Sequence, residues 1–158
     1  MRRTLLALLL GVLTSAPVLA MDLAVTGSWT LPVTATDLVA GAGSALRATV
    51  DSGASDVRVD VDLTAGDADA WRLEIRRSDG SWDPDLRVWV RRSGDGTGTG
   101  TIAGGDTWVE VGPTNSILFE GSGDRQDVPI QLRLGGLSLG VTPAAYLTAL
   151  QYTLVDTP

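Results

Sequence analysis

The sequence predicts an all-β fold, an antiparallel β-sandwich of immunoglobulin-like or jelly-roll type. Three observations carry this expectation. Apolar and polar residues alternate with a period of two along most of the chain. Clusters of Gly, Asp, Ser and Pro interrupt that alternation at intervals of roughly 8–12 residues. Past residue 20 there is no sustained helical period.

The chain opens MRRTLLALLLGVLTSAPVLA. Arg2 and Arg3 form a positive start, Leu5 to Leu13 an apolar run, and Val18, Leu19 and Ala20 a small-residue ending. This is the three-part plan of a secretory signal, so residues 1–20 are expected to be removed on export. The apolar run is shorter than the roughly 20 residues a membrane span needs. No second such run follows, so no span is expected in the mature chain. Residues 21–158 are then a single sandwich domain, placed outside the cell, on its surface or in the periplasm.

Each strand expectation rests on its own alternation. In MDLAVTGSWTLPV, Leu23, Val25, Gly27, Trp29, Leu31 and Val33 share one face. Leu46, Ala48 and Val50 follow as a second strand. Val57, Val59, Val61 and Leu63 alternate with Arg58, Asp60 and Asp62. Trp71, Leu73 and Ile75 alternate with Arg72, Glu74 and Arg76, and Leu86, Val88 and Val90 with Arg87, Trp89 and Arg91. Shorter strands are expected at 107–111, 117–120, 128–134 and 137–141, and a last one at 146–155. That makes about nine or ten strands, with DSGASD, SDGSWDPD and GSGDRQD supplying the turns. The glycine-rich 93–106 reads as a flexible hairpin loop or a weak edge strand with a mobile tip. ATDLVAGAGSAL reads as a longer connection with one helical turn.

Composition limits the chemistry. The chain has no His, no Cys and no Lys. Ser-His-Asp, Cys-His and Ser-Lys catalysis therefore cannot be built from it, nor can thiolate or imidazole metal sites. Its three glutamates, Glu74, Glu110 and Glu120, read as a solvated sheet face rather than a glycosidase pair. Calcium could be held only by turn aspartates, Asp67 and Asp69 or Asp79, Asp83 and Asp85, whose spacing is not that of an EF-hand. The chain is read as a non-enzyme with no cofactor. Loss of Arg2 and Arg3 would move the net charge from −7 to −9. So acidic a protein repels nucleic acid, which is not an expected partner.

Five of the eight aromatic residues are Trp. Trp29 and Trp71 fall on apolar faces and are assigned to the core. Trp82, in a turn, and Trp89, between Arg87 and Arg91, are the candidates for ligand or interface contact, together with those two arginines. Stacking on a sugar ring, anchoring a protein interface and burial under a second layer are all open readings of Trp89.

The C-terminal third, SILFEGSGDRQDVPIQLRLGGLSLGVTPAAYLTALQYTLVD, carries a loop, a strand pair, then a proline and small residues leading into a Tyr-bearing strand. It resembles the ending of exported pilin-type subunits, among them the spore coat protein U-like family of chaperone–usher subunits. The resemblance implies a strand-exchange face on the N-terminal segment, at Leu23, Val25, Trp29 and Leu31. On the final strand it implies Tyr146, Leu150, Tyr152 and Leu154. The expected function is an exported structural or adhesive protein of the bacterial envelope or surface, acting through protein partners or self-association. A carbohydrate-binding module is the alternative.

Overall fold

In a computed structural model, which describes residues 21–63 and 69–157, the chain forms two antiparallel sheets packed face to face. Residues 1–20, expected to be a signal, and Asp67 lie outside the described residues. Ten strands are present: β1 (Met21–Gly27), β2 (Thr49–Asp51), β3 (Val57–Leu63), β4 (Ala70–Ser81), β5 (Arg87–Arg92), β6 (Ile102–Ala103), β7 (Val109–Glu110), β8 (Ser116–Ser122), β9 (Arg125–Gly135) and β10 (Leu147–Asp156). One sheet has the order β1-β3-β9-β5-β7, with β2 also paired to β9; the other has the order β10-β4-β8-β6. From β3 onward every connection crosses from one sheet to the other. This is the expected antiparallel sandwich, and it departs from the immunoglobulin pattern, which keeps several consecutive strands in one sheet.

The alternation works as the physics of a pleated strand requires. Val57, Val59, Val61 and Leu63 turn inward while Arg58 and Asp62 stay exposed. Val88 and Val90 of β5, Val128, Ile130 and Leu132 of β9, and Trp71, Leu73 and Ile75 of β4 complete the core. Trp71 and Phe119 meet edge to face with centroids 6.1 Å apart, and the Trp71 indole N–H donates to the Gly123 carbonyl at 2.9 Å. A buried indole needs such a partner, because an unmade hydrogen bond there costs about 1–3 kcal/mol. β8 puts two consecutive residues, Leu118 and Phe119, into the core. Its pairing with β4 shifts at that point, where Leu73 faces Phe119 but Glu74 faces Ile117. The bulge turns Ile117 outward, 52% exposed.

Several expected elements differ. β1 ends at Gly27, whose φ of 99° no ordinary side chain favours. A Cβ there would collide with the Asp56 carbonyl. Residues 29–33 therefore leave the strand, and Trp29 is half-buried against the core rather than fully inside it. The expected strand at 46–50 is confined to Thr49–Asp51, with Leu46 making only an isolated bridge to Leu38. Residues 137–141 form a turn instead of a strand, closed by Val141 N–H donating to the Ser138 carbonyl. The expected helical turn is the 3-10 turn Ala35–Asp37, capped by Thr34 and Asp37.

The glycine-rich stretch is laid down rather than free. Thr97 exchanges both backbone hydrogen bonds with Gln126, at 2.8 and 2.7 Å. Gly96, Gly98 and Gly100 press on the backbone of residues 122–128, where a Cβ would overlap the carbonyls of Gln126, Asp124 and Ser122. Glycine at every second position is what lets this strand-like segment cross the β8–β9 turn without side chains between the two backbones.

This contact predicts a specific sensitivity. Gly100→Ala is expected to lower unfolding free energy by about 1–3 kcal/mol in urea titration. Gly112→Ala, at a site with open space around it, is expected to change it by less than about 0.5 kcal/mol.

Candidate interaction surfaces

Two surfaces gather the residues singled out from the sequence. The first is the outer face of the six-stranded sheet. Inward-facing Val88 and Val90 force Arg87, Trp89 and Arg91 of β5 outward. Trp89 lies opposite Arg133 of β9 and opposite Glu110 of β7. Its ring reaches diagonally over Gly135, where any Cβ would overlap it. Arg87 and Glu110 stand 3.7 Å apart, both about half exposed.

The centre of this face is a residue the sequence reading passed over, Trp108. The Arg133 guanidinium lies 4.1 Å from its ring centroid and that of Arg91 4.6 Å. Each such contact contributes about 0.5–1 kcal/mol at a partly exposed site. The two arginines are themselves anchored. Arg133 grips Asp51 with two hydrogen bonds of 2.6 and 2.8 Å, and Arg91 donates twice to Gln131 at 3.0 and 2.8 Å. Gln131 in turn donates to the Ser52 carbonyl at 3.0 Å. The hydrogen bonds from Arg133 hold the Asp51 carboxyl below its usual range, against a smaller opposing effect of burial. A signal for Trp108 was present: within 107–111 it alternates with Val109 and Val111, as Trp89 does within its own strand.

Trp82 is not part of this face. It packs against the core, its indole N–H donates to the Leu86 carbonyl at 3.1 Å, and Arg77 lies 5.1 Å from its ring centroid. The turn after β4 uses it as a lid over an inward-pointing arginine. The glutamates are likewise divided. Glu110 belongs to this face, whereas Glu74 is on β4 and Glu120 on β8 of the other sheet. Glu74 accepts from Arg72 at 2.8 Å and from Asn115 at 3.0 Å, which lowers its pKa. The turn aspartates are spent locally: Asp83 accepts from the Asp85 N–H at 2.9 Å, and Asp79 lies 2.9 Å from Arg77 and accepts from Thr148 at 2.8 Å. Among the described residues no three carboxylates converge as a metal site.

The second surface is the open side of the sandwich. β1 ends one sheet and β10 the other. β1 pairs within its own chain, Met21 opposite Leu63 through Gly27 opposite Val57. Of the strand-exchange face, Leu23 packs on the core while Val25 is 39% exposed. Trp29 and Leu31 lie beyond the strand's end, so these four residues do not share one strand face. Leu150, Tyr152 and Leu154 of β10 point toward the core yet are only half-buried. The Tyr152 hydroxyl is buried without a hydrogen-bond partner, and burial pushes its pKa up. Tyr146 sits apart from them, before β10, donating to the Thr142 carbonyl at 2.5 Å and facing Asp83 at 3.4 Å. Burial and the Asp83 charge raise its pKa.

The two sides of the sandwich contrast. On the far side the terminal strands β6 and β7 have two residues each; on the open side β1 has seven and β10 has ten. Very short strands are one way proteins blunt sheet edges against pairing. Residues 147–155 carry no charge, no Pro and no Gly to do the same for β10. No family model, curated protein or solved structure matches this chain.

The Asp51–Arg133 pair gives a pH prediction. A carboxyl whose folded pKa is depressed adds stability above its unfolded value, near 3.8, and loses it as pH falls through the folded value. Asp51→Asn is therefore expected to melt below the wild type at pH 7. The gap is expected to close on acidification below about pH 4. Melting curves of both proteins across that range check it; a gap constant with pH would mean the carboxylate contributes no charge-dependent stability.

Proposed function

We propose that this chain is an exported, non-enzymatic structural or adhesive subunit of the cell surface that works through protein contacts at the open side of its sandwich. The observation that carries this reading is the ten-residue, nearly uncharged edge of β10. An unpaired strand edge offers a row of main-chain donors and acceptors, and a partner strand added there gains affinity from hydrogen bonds and specificity from alternate side chains. Leaving so long an edge unguarded is a liability for a protein that works alone. The half-buried Leu150, Tyr152 and Leu154 beside it are the side chains such a partner would cover. The signal-like first 20 residues supply the route out of the cell.

On the other face, Trp89 lies on Gly135 and Trp108 between two arginines. Those ring surfaces are engaged within the molecule, which weighs against stacking on a sugar as the main role.

Crosslinking in intact cells tests the proposal. A photoreactive residue at the exposed position 153 on β10 is expected to give protein adducts. The same residue at exposed position 103 on β6 is expected to give none. The recovered chain is expected in the envelope or medium, beginning at Met21. Equal adducts from both positions, or a full-length chain kept in the cytoplasm, would overturn the reading.

A further inference from the structure

Resting on that reading, we propose that the partner of β10 is a second copy of this chain, bound edge to edge about a two-fold axis at Gln151. The ladder shows which groups are free. Thr157 N–H donates to the Ala70 carbonyl at 3.0 Å, one position beyond the Asp156–Trp71 pair. In an antiparallel ladder such bonded residues alternate with residues whose main-chain groups point away. The residues facing β4 are therefore Val155, Thr153, Gln151 and Ala149. Those turned to the free edge are Leu154, Tyr152, Leu150 and Thr148.

The centre of this edge, residues 149–153, is close to a palindrome in side-chain size. About Gln151, Leu150 mirrors Tyr152, Ala149 mirrors Thr153, and Thr148 mirrors Leu154. An antiparallel pairing centred there sets Leu150 against Tyr152 on the core side, flanked by Thr148 against Leu154, and small Ala149 against small Thr153 on the outer side. Gln151 meets its own copy. Each of the free-edge residues finds a main-chain partner, on the order of eight hydrogen bonds across the axis. Leu150 and Tyr152, half-buried in one copy, cover one another across it.

Charge favours the same occupant. Two copies of a chain with net charge −7, or −9 from Met21 onward, repel at most surfaces. The strip from Leu147 to Val155 carries no charge of its own, so it lets two such copies approach. The outcome is an isologous dimer whose four-stranded sheet runs on into that of its copy.

The test uses the chain from Met21 onward in sedimentation velocity. The wild type is expected to reach twice the monomer mass at concentrations up to roughly 100 μM. In the proposed register position 149 of one copy faces 153 of the other, and Thr153 lies opposite Glu74 within its own chain. Ala149→Lys with Thr153→Lys puts lysines opposite one another and is expected to weaken the dimer about tenfold. Ala149→Glu with Thr153→Lys makes opposite-charge pairs and is expected to restore it. Unchanged melting curves would show that each variant folds. A monomeric wild type, or a dimer indifferent to both variants, would overturn the second-copy proposal. Adducts to a different protein from position 153 in cells, with a monomeric purified chain, would leave the edge-contact reading standing and remove this one. Absence of adducts in cells would remove the former.

Discussion

The six-stranded sheet depends on the register of β9. This strand pairs with β3 along one part of its edge, with β2 along another, and with β5 on its opposite side. Among the described residues no other strand joins β1 and β3 to β5 and β7 within this sheet. A slip of one residue would turn Val128, Ile130 and Leu132 out of the core and put Gln131 and Arg133 into it. The register is secured by two local devices. The Ser52 N–H donates to the Leu132 carbonyl at 2.8 Å, and the Ser52 hydroxyl accepts the Leu132 N–H at 2.9 Å. At Asp127, φ 55°, one extra residue bulges from β9, and Asp60 accepts the displaced amide at 2.6 Å. The glycine-rich segment then closes over this bulge through Thr97 and Gln126.

The crossing connections decide what the outside of the molecule can offer. Because the chain passes from sheet to sheet at each step from β3 onward, neither sheet grows there by adding a neighbouring hairpin. The last strand is left at one border and the first at the other. The faces are occupied by side chains that satisfy one another, as in the lattice running from Asp51 through Arg133 and Trp108 to Arg91 and Gln131. A domain without cysteine gains its stability from burial of the valine-rich interior and from such ladders. The unfinished hydrogen bonding is concentrated on the side of β1 and β10. The proposed edge-mediated role rests on this contrast between occupied faces and a long strand border without a partner among the described residues.

Much of the fold was legible because most strands have one buried and one wet face. β3 is the clearest case: seven residues, four inward valines or leucines, three charged residues facing out. What was not legible depended on distant partners. Trp29 and Leu31 continue the alternation of β1 in sequence, but the Asp56 carbonyl forces Gly27 into a conformation that ends the strand. Residues 137–141 alternate correctly and yet have no neighbouring edge to pair with. Two adjacent apolar residues, Leu118 and Phe119, break the period, and only the bulge against β4 explains them. The Trp108 cluster was half visible. Its alternation was in the sequence, whereas the arginines flanking it come from β5 and β9, and Arg133 is 25 positions away in the chain. The glycines at 94, 96, 98 and 100 read as looseness until the backbone they lie against is known.

The long separations between paired strands have a consequence for the life of the chain before it is folded. β3 cannot be flanked on both sides until residues 125–130 exist, and β4 waits for residues 147–156. Loops of that length must be closed before any contact repays their entropy, which makes folding slow. While the C-terminal third of such a polypeptide is still unmade, β3 and β4 each lack a strand that flanks them in the folded sheets. Under the proposed export, such a chain would cross a narrow channel before its sheets close, with β9 and β10 the last to arrive.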